Sequence, residues 1–231
     1  MTVKPKKIIS MLAMLLISVS ALHAEDYQYQ YFNGGKDKYV PFSDYIPRVR
    51  LHYKTVPHYL EDYYELYGMK QYYNENSLRK NIARMKTALS CKFRHPSMAL
   101  VRIESEQEYL KYRNLMFMHI NLLIMRNYMK IASKYDMRKI RFYHADFADD
   151  IRDSLDTAEK YYGQALPYWQ EAVKYARVAS GIRITTDLSA IESERFSIIH
   201  GDLDYNRIIR GHMTRVRKNR NKLSEAAQAR N

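Results

Sequence analysis

Residues 145–179, with the sequence ADFADDIRDSLDTAEKYYGQALPYWQEAVKYARVA, decide the fold class. Their apolar and small residues recur at alternating steps of three and four, the spacing of a helix that packs along another helix. These positions are Ala148, Ile151, Leu155, Ala158, Tyr162, Ala165, Trp169, Ala172, Ala176 and Ala179. Alanine occupies every seventh position from Ala158 to Ala179. One edge of the helix is therefore small, and we expect a neighbouring helix to approach it closely.

Two residues interrupt this pattern. Gly163 has no side chain, and Pro167 lacks the N–H that bonds to the carbonyl four residues earlier in a helix. We therefore expect a kink or a short break between residues 163 and 167.

A second long helix is predicted before the first. Ser105 and Glu108 have the spacing of a capping box, in which a hydroxyl and a carboxylate bond to free N–H groups at a helix start. The apolar positions behind them are Leu115, Met118, Leu122, Met125, Met129 and Ala132, broadened by Met116, Ile120 and Leu123. The pattern predicts a helix over residues 106–134, about 44 Å long and buried on more than one side.

The flanking segments are also helical in pattern. Thr185, Thr186 or Asp187 can cap the next helix, and Ser189 and Glu192 repeat the capping-box spacing before a heptad-like series. That series is Phe196, Ile199, Leu203, Asn206, Arg210, Met213, Val216, Arg220 and Leu223. On the N-terminal side, one helix is predicted from Pro57 to Gly68 and another from a cap at Asn76 or Ser77 to His95-Pro96. We predict an all-α, elongated bundle of five or six helices, with segments 105–134, 145–179 and 187–223 side by side.

The N-terminal residues predict export. Three lysines precede an apolar run from Ile8 to Leu22, and Ala24 follows as a small residue at the expected cleavage point. We interpret residues 1–24 as a cleaved signal peptide, residues 25–50 as an extended tyrosine-rich arm broken by glycine and proline, residues 51–223 as the helical domain, and residues 224–231 as a frayed tail. The expected location is the periplasm, and no later segment is apolar enough to span a membrane.

Composition and motifs give no support for an enzyme. The single cysteine, Cys91, excludes an intramolecular disulfide and a CxxC pair, and seven glycines are few for glycine-rich phosphate loops. His200-Gly201-Asp202 resembles a kinase motif, but Asn206 follows one residue too early and no phosphate-binding loop precedes it. The acidic cluster near residues 144–153 fits a helix start that complements the helix dipole. We predict no catalytic residue, no metal site and no cofactor.

Two surface features predict contacts with partners. The chain carries 38 Lys+Arg against 25 Asp+Glu. Five of the cationic residues lie close together near the C-terminal end: Arg215, Arg217, Lys218, Arg220 and Lys222. This run is either a solvated helix end or a docking patch for an acidic partner, and for an exported protein nucleic acid is not the expected partner.

Tyrosine is the second feature. Twelve of the 22 tyrosines lie between residues 27 and 73. Tyrosine is enriched in interface cores, and Tyr59, Tyr63 and Tyr67 recur at helical spacing, so we predict that they form one partner-binding stripe. Leu60 and Tyr64 are expected to face the core. Replacing Tyr63 and Tyr67 together by alanine is then expected to weaken partner binding without unfolding the protein.

The segments DYYELYGMKQYYNENSLRKNI (residues 62–82) and ALPYWQEAVKYA (residues 165–176) resemble the flagellar-coiling sheath proteins of spirochaetes. The resemblance covers most of residues 25–231. It implies a non-enzymatic sheath component of the periplasmic flagellum, which coats the flagellin core beside other sheath or filament proteins and influences curvature and motility. Self-association is compatible with this role.

A second function is compatible with the same sequence. An extracytoplasmic helical adaptor could recognise an anionic envelope component through Arg215 to Lys222. The salt dependence of binding distinguishes these two functions, because binding to a polyanion weakens steeply as ionic strength rises, whereas binding through an aromatic interface persists.

Overall fold

The computed structural model describes residues 57–137 and 147–228, with side chains through Glu225. Helices contain 78% of these described residues, which include no strand, and the all-α prediction is confirmed. The six α-helices are α1 (Leu60–Tyr63), α2 (Glu75–Ser90), α3 (Glu106–Tyr135), α4 (Ala148–Ser180), α5 (Ser189–His200) and α6 (Tyr205–Gln228). A π-helix (Tyr64–Gly68) continues α1, and a 3₁₀ turn (Pro96–Met98) precedes α3. The predicted signal peptide and arm, residues 1–50, lie outside the described residues.

Helix α3 and helix α4 form the centre of the fold and run antiparallel. Phe117 near the start of α3 stacks on Tyr175 near the end of α4, with ring centroids 5.1 Å apart. At the other end, the Ser154 hydroxyl donates to the Tyr135 carbonyl. The apolar side chains of α3 with no exposed surface are Leu115, Met116, Met118, Ile120, Leu122, Ile124, Met125, Ile131 and Ala132. They include neighbours in sequence, so α3 is buried on more than one side, as the pattern predicted.

The small edge of α4 is buried as predicted. Ala158, Ala165, Ala172 and Ala179 have no exposed surface, so the helices packed on α4 reach its backbone closely. Of the kink or short break predicted between residues 163 and 167, the break does not form, because α4 is one helix from Ala148 to Ser180 with Pro167 inside it. Proline removes a single hydrogen bond there, and the packing of a 33-residue helix tolerates that loss.

The third predicted long helix is two helices. The first of them, α5, ends at Gly201, which has φ 84° and ψ 3°. This left-handed conformation ends α5 before α6 begins. The predicted apolar series fails on α5, where Ile191 and Ile198 are buried while Phe196 is 52% exposed and Ile199 is 36% exposed. On α6 the series holds at Val216 and Leu223, which are buried, but it fails at Arg210, which is exposed while its neighbour Ile209 is buried.

The helix starts agree with the predicted caps in one case of three. The Ser105 hydroxyl accepts from the Glu108 N–H at 3.1 Å, as expected. Helix α2 is capped by Asn74, whose side chain accepts from the Asn76 N–H, and neither Asn76 nor Ser77 is the cap. Ser189 is inside α5 and does not cap it, since Leu188 occupies that position.

Two glycines predict opposite changes in stability. Gly163 lies inside α4, and a Cβ built there meets no atom within 4 Å, whereas Gly201 requires positive φ. We expect Gly163→Ala to raise the free energy of unfolding by about 0.5–1 kcal/mol, because alanine favours helix, and Gly201→Ala to lower it by about 1–2 kcal/mol. Urea denaturation followed by circular dichroism measures both. A loss of stability in Gly163→Ala would contradict the position of Gly163 inside a continuous α4. Unchanged stability in Gly201→Ala would contradict the left-handed conformation that ends α5.

Candidate partner-binding surfaces

A buried polar cluster fixes the first described segment to the loop before α3. The Leu60 N–H donates to the Lys92 carbonyl at 3.0 Å. The Glu61 carboxylate has no exposed surface, and it accepts from the Arg94 N–H and from the Tyr112 hydroxyl, each at 3.0 Å. The Arg94 guanidinium also bonds to Asp62 at 2.5 Å. Residues 60–62 are therefore held by charge-assisted hydrogen bonds as well as by apolar packing.

The pKa values of the two acids in this cluster shift in opposite directions. Burial raises the pKa of Glu61, and its hydrogen bonds do not offset that effect. Burial alone would also raise the pKa of Asp62, but hydrogen bonds from Arg94 and from the amides of His58 and Tyr59 together lower that pKa. Asp62 is thus the ionised partner of Arg94, in agreement with their 2.5 Å contact.

The predicted tyrosine stripe is only partly formed. Tyr59 precedes α1 in an extended conformation, with φ −114° and ψ 156°, so it does not share a helix face with Tyr63 and Tyr67. Tyr63 and Tyr67 do lie together, with ring centroids 6.2 Å apart, and the Arg84 guanidinium covers the Tyr67 ring at 3.9 Å. Of the two residues predicted to face the core, Leu60 has no exposed surface, whereas Tyr64 is half-buried, as Tyr63 and Tyr67 are.

The buried tyrosines of the described residues all lie in α3 and α4. Five of the eight tyrosines in these two helices are buried, namely Tyr109, Tyr112, Tyr128, Tyr161 and Tyr162, and the other three, Tyr135, Tyr168 and Tyr175, are half-buried. Between residues 57 and 73 no tyrosine is buried. Tyr73 is 71% exposed and Met69 beside it is 68% exposed. We define the tyrosine surface as three exposed residues, Tyr59, Met69 and Tyr73, together with three half-buried tyrosines that pack against the core beside them, Tyr63, Tyr67 and Tyr72.

Cations frame the tyrosine surface and hold its shape. The Lys130 ammonium lies 4.9 Å from the Tyr73 ring centroid and donates to the Tyr72 carbonyl at 3.2 Å. The Tyr73 hydroxyl bonds to Gln71 at 2.7 Å. Cation–π contacts of this kind orient an exposed ring without burying it.

The basic run of α6 is largely paired within the chain. Arg215 bonds to the buried Asp136 at 2.6 Å, Arg217 bonds to Glu159 at 2.6 Å, and Arg220 bonds to Asp156 at 2.5 Å. These three arginines therefore attach α6 to α4 and to the residue that follows α3. Lys218 and Lys222 are exposed and make no ion pair with the described part of the chain. Of the predicted docking patch, these two lysines are the charges that remain for a partner.

A buried ion pair joins α3 to the start of α5. The Lys111 ammonium lies 2.8 Å from Glu192 and also donates to the Ile184 carbonyl. Arg195 bonds to the other Glu192 oxygen at 2.7 Å. Burial alone would raise the pKa of Glu192, but hydrogen bonds from Lys111 and Arg195 and the Lys111 charge together hold the pKa below its usual value. The spacing from Ser189 predicts a capping-box role for Glu192, and no local sequence pattern marks Lys111 as its partner.

None of the described helices has the length and apolar character needed to cross a membrane. A family model described as "Domain of unknown function (DUF8513)" matches residues 107–226, which is 120 of the 231 residues. The match extends from the first turn of α3 into α6, so the tyrosine surface lies before it. No curated protein and no solved structure matches the chain.

Proposed function

The chain belongs to the DUF8513 family, a domain of unknown function, and we propose that it is a non-enzymatic assembly protein that binds other proteins through the tyrosine surface. The observation that carries this proposal is the uneven burial of tyrosine. Five of the eight tyrosines of α3 and α4 are buried, whereas none of the six tyrosines from residue 59 to residue 73 is buried. Tyrosine and methionine are enriched at protein interfaces because they bury large areas on binding.

The more specific form of the proposal is a sheath component of the periplasmic flagellum. The predicted signal peptide supports an exported location, and the resemblance to flagellar-coiling proteins supports the filament as the assembly. The adjoining arm, residues 25–50, would then add further tyrosines to the partner contact.

Native filaments test this form directly. Periplasmic flagella purified from the source organism should contain the protein in a detergent-resistant fraction, measured by quantitative mass spectrometry. A deletion strain should show altered filament curvature and reduced motility. Exclusive recovery of the protein in the cytoplasm, or unchanged filaments after deletion, would overturn the sheath role.

The second candidate is an envelope adaptor that binds an anionic component through the end of α6. Lys218 and Lys222 support it, because they are exposed and unpaired within the described residues. The three arginines weigh against it, since their charges are already paired. Binding that disappears with added salt and with Lys218→Gln plus Lys222→Gln would favour the adaptor.

Truncating the most exposed part of the tyrosine surface should weaken partner binding. We expect Met69→Ser with Tyr73→Ala to lower affinity for isolated filaments about 30-fold, the effect of losing about 2 kcal/mol at an interface hot spot. Stability should change by about 0.5 kcal/mol or less, because both side chains are solvent-exposed. Co-sedimentation with filaments and urea denaturation measure the two effects.

Phe196→Ala is the matched control, because Phe196 is 52% exposed on α5 and belongs to neither proposed partner-binding surface. Loss of binding in this control, with normal binding after Met69→Ser and Tyr73→Ala, would move the interface to α5. The pair Tyr63→Ala and Tyr67→Ala is a less selective test, because Arg84 covers the Tyr67 ring and its truncation also changes packing.

A further inference from the structure

The carboxylates around the tyrosine surface are already paired within the chain. From residue 63 to residue 84 the chain contains two of them, Glu65 and Glu75. Glu65 pairs with Arg94 at 2.6 Å, and Glu75 pairs with Arg79 at 2.5 Å. Both carboxylates are therefore engaged by arginines, and the other cations of this region have to be considered separately.

Four cationic residues beside the tyrosine surface form no ion pair with the described residues. They are Lys70, Lys80, Arg84 and Lys130. Lys70 directly follows Met69, and Lys80 lies one turn before Arg84 on the same stripe of α2. Arg84 and Lys130 lie over two rings of the surface itself, as described above. The side chains of Lys70, Lys80 and Lys130 are exposed.

Cations are used differently at the end of α6. There the three arginines of the basic run each reach a carboxylate. At the tyrosine surface, Arg84 covers a ring, and Lys130 contacts a ring and a backbone carbonyl. A ring or a carbonyl orients a cation but does not cancel its charge. An excess of positive charge therefore remains at the tyrosine surface.

Two large apolar side chains are exposed among these cations. Met69 and Tyr73 are the most exposed members of the tyrosine surface. The Tyr73 ring is held in place by the Lys130 ammonium and by the hydrogen bond from its hydroxyl to Gln71. Binding therefore costs little ordering of this ring. A partner meets apolar side chains and positive charges within the same area.

This combination favours an acidic protein over other anionic partners. A polyanion without apolar groups would leave Met69 and Tyr73 in water. Peripheral membrane-binding segments present an apolar helix face rich in Trp, Phe and Leu, whereas one methionine and one tyrosine are the large apolar side chains exposed between residues 69 and 73. A protein can supply both carboxylates and apolar side chains, and Tyr and Met are enriched in protein interfaces.

We propose that the tyrosine surface binds an acidic face of a partner protein, with the partner's carboxylates beside Lys70 and Lys80 and its apolar side chains against Met69 and Tyr73. This inference rests on the proposed function, because it states the chemistry of the partner at the same surface. The positive charge speeds encounter with the partner and excludes basic proteins, and the exposed apolar side chains supply the buried contact.

Three polymers of matched length test this chemistry on the full chain. A glutamate–tyrosine copolymer carries carboxylates and rings, poly-L-glutamate carries carboxylates alone, and polyphosphate is a polyanion without apolar groups. Fluorescence anisotropy should show binding of the copolymer that is about tenfold tighter than binding of the other two at about 0.3 M salt, where simple attraction to a basic protein is screened. Tighter binding to polyphosphate, or to vesicles containing phosphatidylglycerol, than to the copolymer would overturn the proposal.

Lys70→Gln with Lys80→Gln should weaken copolymer binding about tenfold at about 0.1 M salt. Both side chains are exposed and unpaired within the described residues, so the variant should unfold at the same urea concentration as wild type. Lys218→Gln with Lys222→Gln removes the same charge from α6 and is the matched control, with an expected change of less than about twofold. Equal effects of the two double variants, or no saturable binding of the copolymer, would overturn the proposal.

Met69→Ser with Tyr73→Ala separates this inference from the proposed function. If that variant loses binding to filaments and to the copolymer while Lys70→Gln with Lys80→Gln keeps both, the tyrosine surface is an interface but its partner is not acidic, and this inference alone fails. If Met69→Ser with Tyr73→Ala keeps full binding to filaments, the proposed function fails and this inference fails with it. Loss of binding in both variants supports both.

Discussion

Glu192→Gln will lower the free energy of unfolding at pH 7 by about 3 kcal/mol, because it leaves the Lys111 ammonium buried without its counter-charge. Lys111 is 4% exposed and Glu192 is 8% exposed, so water cannot replace the lost partner. Urea denaturation measures the change. Glu171→Gln is the control, since Glu171 pairs with Lys174 on the solvent side of α4, where such a change costs under about 1 kcal/mol.

The same substitution predicts a change in pH dependence. Because the pKa of folded Glu192 is lowered, its contribution to stability is complete above the unfolded value of about 4.3 and is lost as pH falls through the folded value. The stability difference between wild type and Glu192→Gln should therefore shrink below about pH 4. A constant difference between pH 7 and pH 3 would show that the ionised carboxylate is not what stabilises this site.

Adding Lys111→Met identifies the cause. If the loss comes from a stranded charge, the double variant Lys111→Met with Glu192→Gln should be more stable than Glu192→Gln alone, by about 1–2 kcal/mol. If Glu192 acts only through Arg195 and Thr186, the second substitution will give no recovery. Arg195 and Thr186 both donate hydrogen bonds to the Glu192 carboxylate, so the structure supports this alternative with named contacts.

Asp136→Ala will lower the free energy of unfolding by about 3 kcal/mol, because one buried carboxylate joins three helices. Asp136 is 1% exposed and directly follows α3. Its Oδ2 accepts from the Tyr162 hydroxyl of α4 at 2.7 Å and from Arg215 of α6 at 2.6 Å. Its removal leaves a buried hydroxyl and a half-buried guanidinium without this acceptor.

Asp156→Asn is the control for Asp136→Ala. Asp156 also pairs with an arginine of α6, Arg220, but its side chain is 49% exposed, and we expect a loss of about 0.5 kcal/mol. Tyr162→Phe added to Asp136→Ala should restore part of the loss, because the hydroxyl that lacked an acceptor is then absent. Equal losses in Asp136→Ala and Asp156→Asn would mean that burial does not set the strength of these pairs.

The long helices were predictable because helical periodicity is a local property. The alternation of three and four places Ala158, Ala165 and Ala172 on one side of α4 whatever packs there, and the structure buries all three. The Ser105 cap was predictable for the same reason, since the hydroxyl and the N–H it bonds are three residues apart. The split at Gly201 was missed because the apolar spacing continues across it, although glycine at that point is the usual mark of a helix end.

The register of α5 shows where periodicity is ambiguous. In twelve residues, a stripe through Phe196 and Ile199 and a stripe through Ile191 and Ile198 both have helical spacing. Which stripe is buried depends on the contacts that α5 makes with α3 and α4, and those contacts bury the second stripe. A similar limit applies to Tyr59, whose spacing matches Tyr63 and Tyr67 but whose backbone is extended.

The sequence by itself determined the all-α class, the approximate ends of α3 and α4 and the small edge of α4, because these follow from interactions among residues less than about two turns apart. Only the tertiary structure decided how the charges are used. Arg215 pairs with Asp136, which is 79 residues away in the chain, and Lys111 pairs with Glu192, which is 81 residues away. A cleft in the fold is lined by residues 91–95 together with residues of α3. Burial and pairing of these groups depend on which helices pack together, and the spacing of residues within one helix does not predict this.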